Sequence, residues 1–172
     1  MAVQKVYKVV ENPGTVVKWQ VDDRTTTSQT AAMAKGEPLK AYADGSPYVT
    51  CLATEDPEMG TDTFVGITNS ASTETAAANG EVDVITCVPM LTIMRAKATT
   101  AANFDTQAEI DALVGDQVGC DVTALTGTNG DFTIDENEGH DSNVHGFKIL
   151  RGDPIMKTAD FFVMSLVMFV NA

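Results

Sequence analysis

The chain has 172 residues, and its 44% hydrophobic content suits one large or two small domains folded around a core. Its 24 acidic and 11 basic side chains give a formal net charge of -13 at pH 7. A phosphate-binding surface would have to form against this negative field, so a nucleic acid is not an expected partner.

The first predicted element is a β-strand close to the N-terminus. Residues 3–10 are rich in β-branched side chains, and Val3, Tyr7 and Val9 share one alternating face. The strand is expected to end at the turn signal Asn-Pro-Gly, residues 12–14.

The next segment predicts an extended arm. Residues 22–34 hold many Thr, Ser and Ala side chains and offer little apolar surface to offset the entropy of ordering them alone. Residues 1–35 are therefore interpreted as a terminal strand followed by an arm that is ordered against a neighbour. Trp19, the sole tryptophan, is expected to be a core or contact anchor, since no second aromatic residue accompanies it at short spacing.

A small antiparallel β barrel or sandwich is predicted for residues 36–98. Short apolar stretches alternate there with Gly, Pro and Asp turn signals at intervals of about 8 to 12 residues. Val82, Val84 and Thr86 share one face of a predicted strand, and Pro89 marks a bend before the next one. The predicted strands lie in the stretches EPLKAYA, YVTCLA, TFVGIT, EVDVITCV and LTIMRAKA.

One helix is predicted with clear end signals. Thr106 and Glu109 have the spacing of a capping box, and Gly115 stands where a C-terminal cap belongs. The side chains expected on its apolar side are Ile110, Leu113 and Val114. The acidic residues Glu109 and Asp111 are two apart and face different directions, so a paired acid/base role is not supported.

The remaining residues predict a hairpin and two further strands. The stretches QVGCDVTAL and DFTI flank the turn TGTNG, and VHGFKIL is followed by a turn at Arg151 to Pro154. The apolar run from Phe161 to Val170 is too short to cross a membrane, so a buried strand is favoured. An α+β lobe packed on the barrel is therefore predicted for residues 99–172. The fold class is mainly β with one α-helix.

Arg151-Gly152-Asp153 matches a tripeptide that adhesion receptors can read on an exposed loop. Three residues carry little information, so the turn interpretation is preferred. The N-terminal sequence MAVQKVYKVV has no apolar leader segment, and synthesis and use in a cytoplasm are expected.

No catalytic motif is recognisable. The phosphate-binding, dinucleotide-binding, HExxH and GxSxG patterns are all missing from the sequence. Cys51, Cys87 and Cys120 are well separated and odd in number, so buried inert thiols are expected. Both histidines, His140 and His145, lie in one Gly/Asn/Asp-rich segment, and a Cys/His catalytic pair is disfavoured.

The acidic segment 131–146 is the richest polar cluster. Its oxygens could serve a calcium ion, but the spacing fails the EF-hand pattern, and a solvated turn is preferred. The two histidines have a spacing that can serve zinc, although surface or interface histidines are the preferred interpretation. The candidate calcium ligands are Asp135, Asn137, Glu138 and Asp141.

Part of the chain resembles the head decoration (cement) proteins of tailed bacteriophages. In that family a Gly-Ile or Gly-Val closes one strand, an Ala-rich loop follows, and Gly-Glu begins the next strand. The matching positions are Gly66-Ile67, Ala76 to Ala78 and Gly80-Glu81, within a similar region from Gly36 to Met94. The resemblance implies a β-tulip-like barrel for residues 36–98 and a homotrimer that binds the major capsid protein.

We therefore expect a protein of the outer capsid surface of a virion, with no enzymatic activity, metal or cofactor. Its N-terminal segment Ala2 to Ala34 is the expected capsid contact. The alternative is a receptor- or carbohydrate-binding β module on a virion appendage, and an enzyme ranks third. The expected contact residues are Val3, Val6, Tyr7, Val9, Trp19 and Arg24.

Overall fold

A computed structural model describes residues 8–11, 15–24, 31–42, 46–53, 56–58, 62–123, 131–137 and 146–164. Within these residues the chain is mainly β with one α-helix, as predicted. The helix α1 spans Gln107–Leu113 and follows a short 3-10 helix at Ala101–Phe104. No helix in the described part of the chain has the length and apolarity needed to span a bilayer.

In the described part of the chain eleven strands form two sheets, and most lie where turn signals separate apolar stretches. The strands are β1 (Lys8–Glu11), β2 (Val16–Val21), β3 (Pro38–Ala41), β4 (Tyr48–Cys51), β5 (Phe64–Thr68), β6 (Gly80–Thr86), β7 (Ile93–Ala98), β8 (Gln117–Thr123), β9 (Asp131–Asp135), β10 (Phe147–Asp153) and β11 (Thr158–Val163).

The first sheet is a closed barrel with the strand order β2-β4-β3-β5-β6. Four of its pairings are antiparallel, but β2 and β4 run parallel where Gln20 faces Tyr48 and Val21 faces Val49. The prediction of a small antiparallel barrel therefore holds for four of the five pairings and is corrected at the β2–β4 pairing. Its core is filled by Val21, Met33, Leu39, Val49, Val65, Val82 and Val84.

The second sheet has the order β1-β7-β11-β10-β8-β9, with an additional parallel pairing of β7 and β9. Aromatic rings fill its core, and Phe147 and Phe161 meet edge to face with centroids 4.9 Å apart. Ile110 of α1 joins this core, as do Phe64 and Ile67 of the barrel strand β5. The two sheets therefore share one continuous apolar cluster, in which the edge-to-face contacts add to burial.

The N-terminal strands are built into both sheets rather than forming a separate arm. In β1, Lys8 pairs with Arg95 of β7, and along β2 the register runs from Val16 opposite Ile85 to Val21 opposite Gly80. The predicted division into residues 1–35, 36–98 and 99–172 therefore needs correction, because β2 is a barrel strand and β7 belongs to the second sheet. Residues 1–7 and 12–14 lie outside the described part.

The end of the predicted arm also packs into the barrel. Met33 is fully buried, its N–H donates to Ser72 Oγ at 2.7 Å, and its carbonyl accepts from Ser72 N at 3.0 Å. The side chain of Met33 anchors this stretch in the barrel core. The Thr- and Ala-rich composition around it gave no indication of this burial. Residues 25–30 lie outside the described part.

The helix confirms its predicted end signals. Thr106 Oγ1 accepts from Glu109 N, the Glu109 carboxylate accepts from Thr106 N at 2.8 Å, and Gly115 has a φ of 97°. Ile110 is buried, but Val114 is 46% exposed, contrary to its predicted place on the apolar side. The reason is local: Val114 has left the helical conformation, with a ψ of 123°.

The turn predicted at Arg151 to Pro154 is displaced toward the C-terminus. Arg151, Gly152 and Asp153 belong to β10, and the turn occupies residues 154–157. The Asp153 carboxylate accepts from the N–H groups of Ile155 and Met156 at 2.9 and 3.1 Å, which explains why the turn starts after Asp153. The buried strand predicted at Phe161 to Val170 begins earlier, at Thr158, and residues 165–172 lie outside the described part.

Candidate functional site

The strand β2 has an edge with backbone groups that no described strand pairs. Thr86 N donates to Thr15 O at 3.0 Å, which sets the hydrogen-bonded positions of the β2–β6 ladder. Because such positions alternate in antiparallel pairs, the N–H and C=O groups of Val16 and Lys18 point away from β6. Among the described residues β4 pairs with β2 only at Gln20 and Val21, so within that part of the chain the stretch from Val16 to Trp19 presents an open edge.

Apolar side chains surround this edge. Val16 is 53% exposed and Val17 42% exposed, although both lie in a regular strand. Trp19 packs partly against the barrel core, and its buried Nε1–H has no acceptor in the part of the chain that the structure describes. Val17, Trp19 and Val21 share one face by alternation, and burial along that face increases toward Val21. We call the stretch from Val16 to Trp19 the β2 edge.

A polar cleft of about 410 Å³ lies where β2 meets β4 and β6. Asn79 Nδ2 donates to Tyr48 Oη at 2.7 Å, and Glu81 N donates to Thr73 Oγ1 at 2.9 Å. A side chain at Gly80 would overlap the backbone of Glu74, so the strand start needs glycine. The cleft is lined by Gln20, Tyr48, Thr73, Asn79, Gly80 and Glu81.

Two charged side chains near the cleft have buried atoms without hydrogen-bond partners among the described residues. Arg24 N donates to Thr75 O at 3.0 Å, while its buried Nε has no acceptor. Glu74 is 2% exposed, and neither carboxylate oxygen has a donor. On the outer face, Lys18 Nζ lies 3.0 Å from Glu81 Oε2, and this hydrogen bond raises the pKa of Lys18.

A buried ionic cluster ties β3 to the loop between β4 and β5. Lys40 Nζ lies 2.7 Å from Asp56 Oδ2 and 3.0 Å from Asp62 Oδ1. Both carboxyl groups are buried, at 6% residue exposure each. The same loop contacts the second sheet, because Gly146 N donates to Pro57 O at 2.6 Å and Cys120 Sγ donates to Ala53 O at 3.6 Å. We call Lys40, Asp56 and Asp62 the Lys40 cluster.

The three groups of the Lys40 cluster titrate differently. Burial raises the pKa of Asp56. Burial also opposes ionisation of Asp62, but hydrogen bonds from Glu58 N, Lys40 and Asp56 outweigh it and lower the pKa of Asp62. The pKa of Lys40 is raised because its bonds to the two carboxyl groups outweigh the effect of burial.

Two of the three thiols are buried, as predicted. Burial raises the pKa of Cys87 to about 12 and that of Cys120 well above its usual value, so neither is a ready nucleophile. Cys51 is only half-buried, contrary to the prediction, and its Sγ donates to Glu37 Oε2 at 3.4 Å. Its side chain lies beside both apolar clusters at the edge of the barrel core. His140 and His145 lie outside the described residues, so the Cys/His and zinc interpretations stay predictions.

The acidic segment is only partly described. Asp135 and Glu136 are buried, which corrects the solvated-turn interpretation at these positions. Glu136 accepts from Thr99 N at 3.1 Å and Thr100 N at 2.9 Å, and these contacts explain its burial. Burial raises the pKa of Glu136 despite these donors. Within the described residues no three His, Cys, Asp or Glu side chains are placed to hold a metal ion, and Glu138 and Asp141 lie outside them.

The structure separates the predicted contact residues. Val9 lies in β1, opposite Met94 in the second sheet, whereas Trp19 belongs to the barrel and Arg24 follows it. Val3, Val6 and Tyr7 lie outside the described residues. Sequence reasoning missed Val16 and Val17, although two adjacent valines before Trp19 are a signal for a strand with an apolar residue on each face.

Comparison with known proteins leaves the chain without an assigned family. No protein-family model matches it, and no curated protein sequence matches it significantly.

Proposed function

We propose that the chain is a structural virion protein that binds the outer surface of a tailed-bacteriophage capsid and stabilises the shell as a decoration protein. The β2 edge is the observation that carries this proposal. An unpaired strand edge flanked by exposed valines is a surface that natural proteins protect unless it has a partner.

The resemblance to decoration proteins supports this reading at the level of the barrel. Gly66-Ile67 and Gly80-Glu81 lie in the adjacent strands β5 and β6, and Ala76 to Ala78 belong to the exposed loop between them. The net charge of -13 suits a protein that stays soluble at high copy number and binds a partner with a complementary basic patch.

The contact surface is revised from a free arm to the β2 edge. A segment of the major capsid protein adds to the edge by pairing with the outward N–H and C=O groups of Val16 and Lys18. Val16, Val17 and Trp19 supply the apolar contacts beside it. The remaining contact residues Val3, Val6, Tyr7, Val9 and Arg24 stay predictions.

The edge is tested by a proline that blocks only the outward side of β2. In Lys18→Pro the lost N–H points away from β6, so the barrel ladder is retained. Lys18→Ala is the matched control, because it removes the ion pair with Glu81 and keeps the N–H. Purified shells lacking the protein are mixed with each variant, and bound copies are counted by electron microscopy.

We expect Lys18→Pro to reduce shell affinity at least about tenfold, whereas Lys18→Ala binds like the parent protein. Full occupancy by a folded Lys18→Pro protein would contradict the edge contact. Deleting residues 2–34 is a less informative test, because the deletion removes a strand of the barrel.

The proposal includes a homotrimer, in which three weak edge contacts act together on the shell. Sedimentation equilibrium over a range of concentrations measures the mass of the assembly in solution. A monomer in solution that also occupies isolated sites on the shell would contradict the trimer.

Carbohydrate recognition on a virion appendage is the second candidate function, and the polar cleft favours it. Tyr48 supplies an aromatic surface, while Gln20, Asn79 and Glu81 supply donors and acceptors that suit sugar hydroxyl groups. Binding to a glycan array that Tyr48→Ala and Asn79→Ala abolish would support this candidate. No glycan binding, together with shell binding through β2, would exclude it.

A further inference from the structure

The Lys40 cluster places an amine between two carboxyl groups in a largely buried setting. Lys40 Nζ is 2.7 Å from Asp56 Oδ2 and 3.0 Å from Asp62 Oδ1. The side chain of Lys40 is 20% exposed, and those of Asp56 and Asp62 are 9% and 7% exposed. Asp56 Cγ is bonded to the oxygen that the amine contacts, so the nitrogen and the carboxyl carbon are held as close neighbours in one folded structure.

The two carboxyl groups are held differently by the backbone. Ala53 N donates to Asp56 Oδ2 at 2.5 Å, on the same oxygen that Lys40 approaches. Glu58 N donates to Asp62 Oδ2 at 3.1 Å, while Asp62 Oδ1 faces Lys40. A hydrogen bond also links the carboxyl of Asp56 to that of Asp62. The backbone donor at Asp56 is placed to stabilise negative charge that develops on Oδ2 during an attack on Cγ.

We propose that Lys40 and Asp56 condense to an intramolecular amide bond, with Asp62 as the base that accepts the proton of the amine. The site is a self-modifying crosslink between β3 and the β4–β5 loop. It is independent of the proposed capsid function, because the reaction needs only this chain.

The reaction starts from a neutral cluster with an ammonium on Lys40, a carboxylic acid on Asp56 and a carboxylate on Asp62. The raised pKa of Asp56 and the lowered pKa of Asp62 agree with this distribution of protons. Asp62 first accepts a proton from Lys40, which frees the nitrogen lone pair. This transfer works against both the raised pKa of Lys40 and the lowered pKa of Asp62, so the reactive form is a minor one that the direct contact between the two groups makes accessible.

The amine then attacks Asp56 Cγ, and the N–C bond forms as the C=O electron pair moves onto Oδ2. Collapse of this intermediate expels the hydroxyl group of Asp56. Asp62 takes up the second proton of the nitrogen and returns one proton to the leaving hydroxyl. One ammonium, one acid and one carboxylate thus give one amide, one water and one protonated Asp62. No oxidant, metal or cofactor is consumed.

The intact mass of the purified full-length chain tests the proposal. We expect the parent protein to be lighter than its sequence mass by one water molecule, and proteolysis to release a branched peptide joining the segments that contain Lys40 and Asp56. A parent mass equal to the sequence mass after prolonged incubation of the folded protein would show an ion pair only and overturn the proposal.

Lys40→Arg is the matched control, since it keeps the positive charge but cannot form this amide. Its mass should equal its sequence mass. Water loss that persists in Lys40→Arg would trace to dehydration elsewhere, such as at an Asp side chain attacked by its own backbone, and would also overturn the proposal. If Lys40→Arg does not fold, the presence or absence of the branched peptide in the parent protein decides between the amide crosslink and an ion pair.

Two asparagine variants assign the roles of the carboxyl groups. Asp56→Asn offers an amide to the attacking amine, so any crosslink must form with loss of ammonia in place of water. Asp62→Asn lacks the base, and its crosslink should form at least about tenfold more slowly than that of the parent. Ammonia loss from Asp62→Asn would mean that Lys40 attacks residue 62, and would overturn the assignment of Asp56 as electrophile. Water loss from Asp62→Asn at the rate of the parent would overturn the assignment of Asp62 as base. None of these masses depends on shell binding, so the capsid proposal can fail without affecting them.

Discussion

Arg95 of β7 lies directly opposite Asp160 of β11, and its guanidinium group donates hydrogen bonds to both oxygens of the Asp160 carboxylate. Its Nε and Nη2 donate to Oδ1 and Oδ2 at 2.5 and 2.9 Å. Arg151, opposite Asp160 on β10, adds a bond from Nε to Oδ2 at 2.7 Å. A carboxylate with 2% side-chain exposure is thereby held between two cations on an inner strand of the second sheet.

Asp160→Asn should lower the free energy of unfolding by about 2 to 3 kcal/mol, because it leaves two guanidinium groups without their anion. Urea denaturation at pH 7 measures the loss. Arg151→Met is the internal control, with an expected loss below about 1 kcal/mol, since Arg151 is 57% exposed and its ion pair is screened by water. Equal losses in the two variants would contradict this ranking.

The contribution of Asp160 should depend on pH in the acid range. The two arginines lower its pKa in the folded state below the value of about 3.9 in an unfolded chain. A lowered folded pKa means that the stabilisation is complete above the unfolded pKa and is lost as pH falls through the folded pKa. The difference in unfolding free energy between the parent and Asp160→Asn should therefore be constant from pH 7 to about pH 5 and shrink below about pH 4. A difference that does not shrink in acid would contradict the linkage.

Glu136 should show the opposite dependence. Its pKa is raised by burial, so ionisation costs more in the folded than in the unfolded chain. With a raised folded pKa, the favourable contribution is complete below the unfolded pKa of about 4.3 and is lost as pH rises through the folded pKa. Relative to Glu136→Gln, the parent protein should be more stable at pH 4 than at pH 7, as measured by urea midpoints at each pH. A difference that grows in favour of the parent toward neutral pH would show that the backbone donors at Thr99 and Thr100 outweigh burial.

Gly66→Ala should disrupt the barrel far more than Gly115→Ala. A Cβ at Gly66 would overlap the carbonyl oxygen of Ile85 on the neighbouring strand, so β5 and β6 could not keep their register. Gly115 also has a positive φ, of 97°, but nothing lies within 4 Å of an added Cβ. We expect a loss of about 1 kcal/mol at Gly115 and more than about 3 kcal/mol at Gly66, measured by thermal denaturation. Similar losses of stability at both sites would mean that the positive φ of the two glycines matters more than the close approach of the Ile85 carbonyl to Gly66.

The sequence predicted those elements whose signals are local. Thr106, Glu109 and Gly115 mark the two helix ends within one short stretch. The structure confirms the capping box at Thr106 and Glu109 and the end of the helix before Gly115. Turn residues between short β-branched runs likewise placed the strands around Leu39, Val49 and Val82. Interactions between residues close in sequence determine these features, so they can be predicted from a single sequence.

Pairing between distant segments could not be read in the same way. Nothing in residues 16–21 indicates that they pair with residues 80–85, or that β4 meets β2 in parallel. The Lys40 cluster was missed for the same reason, since Lys40 and Asp56 lie in segments whose contact depends on the β4–β5 loop. Register across a sheet depends on the whole set of competing partners, and the alternation of one strand fits several of them.

The interlocked N-terminal strands have a consequence for synthesis on the ribosome. β1 and β2 precede their antiparallel partners, which lie in residues 80–98, so neither can complete its native pairing until that later segment has left the exit tunnel. Val21, which is buried in the closed barrel, therefore remains uncovered until β6 has been made, and the barrel cannot close before then.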